Sequence, residues 1–297
     1  MAVRLRSPRT ADAEAVLRVL VARDVADLGE PDYTLEQLED EWRESTFDLA
    51  ADAVVAEDDR GRIVGYAIVR GPGTLVAVDP EREGEGIGTR LLEWAERRAL
   101  ALGRARHSQW IGERNAAGRA LLQRAGYEPA RSYWRMAVAL DAPRPSVPVP
   151  AGVRLRRVEL PADARALYDV DAAAFAGNPD YYGEPFERFE SHHLAGHDLA
   201  PALSPVAERD GAVVGFALCR CWAAGVGFVD ILAVQPSEQG RGLGTALLVA
   251  AFDAFTGAGL REAQLGVASD NPRALRVYER AGMAPRFRVD VLERAAT

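Results

Sequence analysis

Three glycines occupy alternate positions, Gly240, Gly242 and Gly244, directly ahead of an apolar stretch with helical periodicity. Glycine allows backbone conformations that side chains forbid, so several N–H groups of such a turn can point at one anion. The amino end of the following helix adds unpaired donors and partial positive charge. The pattern suits a pyrophosphate, although a tight turn into a helix produces the same spacing and is weak evidence alone.

The elements around this turn follow from periodicity and turn signals. Alternating or apolar runs predict strands over residues 153–158, 205–208, 213–220, 226–234 and 263–267, and helices over 161–175 and 242–255. A last helix opens at Pro272 and is closed by Gly282. This order predicts an α/β (α+β) fold, in which a mixed, mostly antiparallel sheet is flanked by helices. The glycine turn follows the fourth strand, whereas a Rossmann turn follows the first.

The chain also repeats itself. Gly61, Gly65 and Arg70 return 150 positions later as Gly211, Gly215 and Arg220. From Gly84 and Gly240 onward the offset is 156 rather than 150, so six residues were gained between the third and fourth strands. Offsets that hold over so long a span indicate duplication. We predict two copies of one domain, over residues 1–140 and 153–297, joined by a proline-rich linker over 141–152.

Composition excludes several classes of protein. The net charge is −8 over 297 residues, which disfavours a nucleic-acid partner, and no lysine is present for a Walker loop or a Schiff base. The sequence lacks a membrane-length apolar run and a signal-like amino terminus, so we expect a cytoplasmic protein. Cys219 and Cys221 are typical of small residues in a half-buried strand. His193 and His197 have the spacing of zinc ligands but lack a third ligand, so no metal is predicted.

Two motifs carry a resemblance to a known family. Residues Gln239-Gly240-Arg241-Gly242-Leu243-Gly244 resemble the acetyl-CoA signature of the GNAT superfamily of N-acetyltransferases, Gln/Arg-x-x-Gly-x-Gly/Ala. They follow a strand and a proline turn, as they do in that family. The segment from Asn271 to Met283 resembles the family's next motif, and it lies in the expected order. The likeness spans both copies and therefore nearly the whole chain.

The resemblance implies acetyl-CoA as co-substrate, lying in a cleft where two strands splay apart. The residues implied for its binding are Leu232, Ala233, Val234, Gln239, Gly240, Arg241, Gly242, Leu243, Gly244, Thr245 and Asn271. Tyr278 is the candidate acid for the leaving thiolate, because it lies two helical turns after Asn271 on the same face. Asp230 is a candidate base, if burial raises its pKa, or an anchor for a cationic substrate. A solvated aspartate is equally consistent with its position.

The first copy departs from the pattern. Its turn contains Glu83 and Glu85, where the second copy has Gln239 and Arg241, and Leu122 replaces the tyrosine. Two carboxylates beside a pyrophosphate cost about 1–4 kcal/mol each at ~4 Å, depending on the effective dielectric constant. Leucine cannot donate a proton. The sequence therefore predicts that the second copy carries the chemistry.

Three functions remain open. The first is an N-acetyltransferase that acts on a primary amine of a small molecule, which would enter over residues 178–186. The second is an enzyme of the mycothiol-synthase-like type, since those are tandem GNAT proteins with an active second half. The third is an acyl-CoA-binding module without turnover, and Tyr278 beside an intact glycine turn counts against it. The oligomeric state is open as well.

Overall fold

The computed structural model describes residues 3–44, 46–70, 73–144, 146–178, 181, 183–222 and 225–295. Within these ranges no helix combines the length and the apolarity that crossing a bilayer would need. The chain forms two compact units. Unit 1 comprises residues 3–133 and 287–295 of the described chain, and unit 2 comprises residues 134–286.

Unit 1 contains one sheet with helices against it. Its elements are β1 (Arg4–Arg6), α1 (Ala13–Leu28), α2 (Leu35–Arg43), α3 (Leu49–Asp52), β2 (Ala53–Glu57), β3 (Ile63–Arg70), β4 (Gly73–Val78), α4 (Ile87–Ala101), β5 (Arg106–Gly112), α5 (Ala116–Arg124) and the start of β6 (Glu128–Ala139). The neighbouring strands β1, β2, β3 and β4 are antiparallel, and β4 meets β5 in parallel. The mixed, mostly antiparallel sheet is therefore confirmed here.

Unit 2 repeats this order. Its elements are β7 (Arg154–Arg157), α6 (Ala164–Phe175), α7 (Phe186–His193), β8 (Pro205–Arg209), β9 (Ala212–Trp222), β10 (Val226–Val234), α8 (Leu243–Gly257), β11 (Glu262–Ala268), α9 (Pro272–Arg280) and the start of β12 (Ala284–Ala295). Strands β7 to β10 are antiparallel neighbours, and β10 and β11 are parallel. Helix α7 was not among the elements predicted from periodicity.

The units differ from the two halves of the sequence because the last strand of each half is divided between the two units. The second part of β6 belongs to unit 2, where Met136 and Leu140 lie in one core with Phe252 and Phe255. Most of β12 belongs to unit 1, where it pairs antiparallel with β5 and buries Leu292 beside Leu92. Each unit thus contains part of the last strand of the other half of the chain. The predicted limits 1–140 and 153–297 describe the sequence repeat rather than these compact units.

The duplication is also visible in a repeated ion network. In unit 1, Arg6 Nη1 lies 2.7 Å from Asp12 Oδ2, and its Nε lies 2.5 Å from Glu57. In unit 2, Arg156 makes the corresponding contacts with Asp163 and Glu208 at 2.7 and 2.5 Å. The arginine holds the pKa of each of these carboxyls below its ordinary value. Each network ties the first strand of its unit to the second.

Candidate active site

Strands β10 and β11 separate in the middle of unit 2. They pair in parallel at Val226, Gly227 and Phe228, although β10 continues to Val234. Within the described residues, the later part of β10 has no ladder partner on that side. A free strand edge can pair with an extended ligand through its N–H and C=O groups. This is the splayed cleft that the sequence implied for Leu232, Ala233 and Val234.

A β-bulge lies at the base of this cleft. The register between β10 and β9 shifts between Val229 and Ile231, so Asp230 is the extra residue on β10. A bulge leaves one residue out of the ladder and redirects the local backbone, and bulges are common beside active sites. The one-residue shift puts Asp230 at the closed end of the cleft, two residues before Leu232.

The glycine turn leads directly into helix α8. Gly240 has φ +79° and Gly242 has φ +86°, the left-handed region that favours glycine. Gly242 is the N-cap of α8, and no side chain accepts from the amides of its first turn. The N–H groups at Leu243, Gly244 and Thr245 are therefore those that an α-helix leaves without intrahelical partners. A Cβ built on Gly244 would lie 3.8 Å from Val234, so this donor cluster is next to the free edge of β10.

The side chains of the signature have structural partners. Gln239 donates from Nε2 to the carbonyl of Val234 at 2.8 Å, which ties the turn to the end of β10. The largely buried Glu238 lies between two arginines, with Arg209 Nε at 3.0 Å and Arg241 Nη1 at 3.5 Å. Arg241 keeps 60% of its side chain exposed. It is the cation of the turn that remains accessible to a phosphate.

Helix α9 carries the two candidate polar groups of the second motif. Asn271 caps the helix, because its Oδ1 accepts from the Ala274 N–H at 3.0 Å, so its amide NH2 is the part left for a ligand. Tyr278 packs beside the unit 2 core, and burial raises its pKa to about 12. Its hydroxyl makes no hydrogen bond with another described residue. A tyrosine with so high a pKa stays protonated, as an acid must before it donates.

Asp230 does not have the raised pKa expected of it. Burial alone would raise the pKa, but the hydrogen bond to His193 and the charge of Arg220 outweigh burial and lower it. His193 Nδ1 lies 3.3 Å from Asp230 Oδ2, and Arg220 Nη2 lies 3.0 Å from the same oxygen. A carboxylate held in its charged form is a weak base. The expectation was therefore wrong in direction, since neither contact is visible from the sequence.

Sequence reasoning missed His193, which it considered only as a metal ligand. The imidazole lies between two carboxylates, with Nε2 at 3.5 Å from Glu184 Oε1 as well as Nδ1 beside Asp230. Burial opposes its charge, but Asp230 and then Glu184 outweigh burial and raise the pKa of His193. No pattern predicts this contact, because it depends on how α7 packs against β10.

Asp171 was also missed, although the sequence contained a signal for it. It lies on α6 in the periodic positions that also bury Leu167 and Val170. Burial raises its pKa to about 6; the charge of His193 opposes this effect, and the charges of Glu184 and Asp230 add to it. It makes no hydrogen bond or ion pair with another described residue. A carboxyl on the apolar face of a helix could have been marked as unusual from periodicity alone.

Replacing Asp171 with asparagine should stabilise the protein at neutral pH. A folded-state pKa raised above the unfolded value makes the carboxyl cost stability once pH exceeds the folded pKa. Two pKa units correspond to about 3 kcal/mol, so we expect Asp171→Asn to raise the free energy of unfolding by ~1–3 kcal/mol near pH 7.5. The gain should shrink to ~0.5 kcal/mol near pH 4, where the folded state holds the proton and the unfolded aspartate is about half ionised.

Urea unfolding at the two pH values measures this difference. Asp169→Asn is the matched control on the same helix, because Asp169 is 59% exposed and pairs with Arg165 on the surface. The control should change little at either pH. Equal stability of Asp171→Asn and the parent near pH 7.5 would contradict the raised pKa.

The corresponding region of unit 1 differs in geometry as well as in charge. Strands β3 and β4 pair without a register shift from Gly65 to Arg70, so this hairpin has no bulge. Glu85 is held by Arg82 through two contacts of 2.7 and 2.8 Å, and Glu83 pairs with Arg23. The carboxylates predicted to repel a pyrophosphate are thus partly neutralised.

Unit 1 also has a different residue, Leu122, at the position that corresponds to Tyr278. Leu122 is buried in the core beside Ile111, where it has no polar group to offer a ligand. Asn115, which matches Asn271, caps α5 and also donates from Nδ2 to Asp27 at 2.8 Å. The oxygen and the nitrogen of the Asn115 amide therefore both have hydrogen-bond partners within unit 1.

Two further expectations concern the surroundings of the site. The predicted substrate segment over 178–186 is only partly described, since Pro179, Asp180 and Tyr182 lie outside the described residues. Within the described chain, no group of three or more histidine, cysteine or acidic side chains is placed to hold a metal ion.

Comparison with known proteins identifies the class. A model described as the acetyltransferase (GNAT) family matches residues 165–283, and one described as an acetyltransferase (GNAT) domain matches residues 50–129. The chain belongs to the GNAT family of acetyltransferases and carries two such domains in tandem. It is an N-acetyltransferase, as the sequence motifs predicted.

Several known proteins are similar to the chain over most of its length. The chain is 36% identical to a mycothiol acetyltransferase from Sanguibacter keddieii, over 96% of this chain and 94% of that protein. It is 34% identical to the mycothiol acetyltransferase of Nocardia farcinica, over 80% of each. A GCN5-related N-acetyltransferase from Sphaerobacter thermophilus has TM-score 0.84 and 30% identity, with 99% of this chain and 96% of that one covered. A tandem GNAT protein from the clavulanic acid pathway, at TM-score 0.74, 20% identity and 100% and 99% coverage, shows the same fold.

Proposed function

We propose that unit 2 transfers an acetyl group from acetyl-CoA to a primary amine of a small molecule by direct attack. The observation that carries this proposal is the free edge of β10 beside the uncapped start of α8. A pyrophosphate on the amides of residues 239–245 would direct the rest of the cofactor along Leu232, Ala233 and Val234. Enzymes of the GNAT fold use acetyl-CoA in this way, which supports the choice of donor.

The steps of the proposed acetyl transfer follow from the groups that lie near the free edge of β10. A β10 N–H near the bulge can donate to the acetyl carbonyl and stabilise the oxyanion as the amine attacks. When the C–S bond breaks, the thiolate takes a proton from Tyr278, which is protonated at neutral pH. The amine must lose its own proton before it attacks. That proton passes to solvent, and Asp230, which His193 and Arg220 hold in its charged form, is not the base.

The second candidate is a mycothiol acetyltransferase activity. Its support is the 36% identity to the Sanguibacter keddieii protein of that name, which extends over 94% of that protein. An acyl-CoA-binding module without turnover is a third function, and the presence of Tyr278, a protonated hydroxyl that bonds no other described residue, together with an intact glycine turn counts against it.

Calorimetry and thiol release test the proposal together. We expect one acetyl-CoA to bind per full-length chain, because only unit 2 combines the bulge, the exposed Arg241 and Tyr278. Free thiol should then form from acetyl-CoA when a panel of small primary amines is added. Binding without thiol release from any amine would favour the module, and absence of binding would remove the proposal.

A further inference from the structure

A group of acidic side chains around His193, here called the recess, lies beside the bulge in unit 2. We define the recess by the side chains of Asp171 on α6, Glu184 before α7, His193 on α7 and Asp230 on β10. The last three are in contact, since His193 bridges Glu184 and Asp230 at 3.5 and 3.3 Å. Asp171 is close enough for its charge to act on all three. The recess is therefore at the end of β10 where the acetyl group is proposed to lie.

Asp171 is the unusual member. It is only 7% exposed, and it makes no hydrogen bond or ion pair with any other described residue. A buried carboxyl without a partner is costly, and most such groups in folded proteins are satisfied by protein, water or ligand. Burial and the neighbouring carboxylates raise its pKa to about 6, so it still ionises at neutral pH. A cation brought beside it would remove this cost.

The protein's own cations leave the recess negative. Arg220 is fully engaged, because its nitrogens contact Asp198, Asp230 and the carbonyls of His192 and His193. His193 already lies between two carboxylates, and even when protonated it brings one positive charge to three acidic groups. Arg188 and His192 approach Glu184 at 3.7 and 3.4 Å, and both are substantially exposed. Tyr181, whose pKa is raised by burial and by Asp171, adds no positive charge.

We propose that Asp171 binds the ammonium group of the acceptor, in a recess that selects amines with no carboxylate beside the nitrogen. This inference rests on the proposed acetyl transfer and specifies its acceptor. A free α-amino acid would bring its carboxylate into contact with Glu184 and Asp230, and Arg220 has no uncommitted nitrogen to receive it. An amino alcohol, an amino sugar or an α-amino amide presents the ammonium without that repulsion.

Matched acceptors test the proposal on the full-length protein. Thiol release is measured with ethanolamine and alaninamide against glycine and alanine. We expect the amide and the amino alcohol to be preferred by at least ~30-fold in kcat/KM over the acids. Asp171→Asn should raise the KM for ethanolamine about tenfold or more, with kcat within about threefold and acetyl-CoA affinity unchanged.

The pH profile separates binding from a structural role. In the parent, the KM for ethanolamine should fall as pH rises from about 5.5 to 7.5, because Asp171 ionises while the amine stays protonated. Asp171→Asn should lose most of this dependence, and the surface control Asp169→Asn should retain it. His193, Glu184 and Asp230 also face the recess and remain unchanged in both variants, so any residual slope belongs to them.

The outcomes are distinguishable from failure of the proposed function. If glycine and alanine are acetylated with the same kcat/KM as ethanolamine and alaninamide, acetyl transfer stands and the recess proposal is overturned. The same holds if all four compounds are inactive while acetyl-CoA binds and other amines release thiol. If no acetyl-CoA binds, the proposed function itself has failed. An unchanged ethanolamine KM in Asp171→Asn also overturns the assignment.

Discussion

Replacing Tyr278 with phenylalanine is expected to lower kcat by roughly 100- to 1,000-fold while the affinity for acetyl-CoA stays within about twofold. The hydroxyl is the only group removed, and no described residue bonds to it in the folded protein. It is therefore needed when the thiolate leaves and not when the cofactor binds. Loss of a hydroxyl that bonds no other described residue should leave the melting temperature close to that of the parent.

Tyr127→Phe provides the control for this variant. Tyr127 is a buried tyrosine of unit 1 whose hydroxyl donates to Glu96 at 3.0 Å, so its replacement should reduce stability and leave kcat intact. Single-turnover thiol release and calorimetry measure the two effects separately. A Tyr278→Phe enzyme with the parent's kcat would remove this residue from the mechanism, and a parallel loss of cofactor affinity would make it a binding group.

Adding one methyl group to the glycine turn should have the second large effect. Gly242→Ala is expected to weaken acetyl-CoA binding by about 30-fold or more, which is ~2 kcal/mol. The free protein has space for the methyl group, since no atom lies within 4 Å of a Cβ built there. The space is the side of the turn on which the pyrophosphate is proposed to approach the α8 amides. A Cβ there would hold the phosphate away from its donors.

Unit 1 offers a matched control for the backbone strain. Gly86 has φ +77°, is the N-cap of α4, and likewise has open space around a built Cβ. Alanine at either position costs about 1–2 kcal/mol for the left-handed conformation, so the two variants should lose similar stability. Gly86→Ala should nevertheless keep the parent's acetyl-CoA affinity. Equal losses of affinity would show that both turns hold cofactor, and no loss in Gly242→Ala would mean that the phosphate lies elsewhere.

The predicted difference in cofactor binding between the two units has a different basis from the one that the charges of the sequence suggested. Glu83 and Glu85 each have an arginine partner, so their repulsion of a phosphate is smaller than the bare sequence implied. The bulge at Asp230 is the feature that unit 1 lacks. One extra residue on β10 changes which groups point into the cleft, which a count of charges cannot show.

Much of unit 2 was predictable from local patterns. The strand over Val226–Val234 was predicted with its observed limits, and helix α8 differs from the predicted span only at its ends. The glycine turn and the Asn271-Pro272 helix start were also correct, because turns, caps and periodicity depend on neighbours in sequence. The roles of Tyr278, Asp230 and the cofactor-binding residues stay predictions, which the variants above test.

The sequence by itself therefore determined the family, the duplicated α/β fold and the position of the glycine turn, since each depends on short-range spacing. Only the tertiary structure decided which distant charges meet. His193 lies against Asp230 because α7 packs on β10, and that contact reverses the expected pKa shift of the carboxyl. The compact units exchange their last strands for a similar reason. Strand pairing and electrostatic interactions both depend on separation in space, and residues far apart in sequence acquire that proximity only through folding.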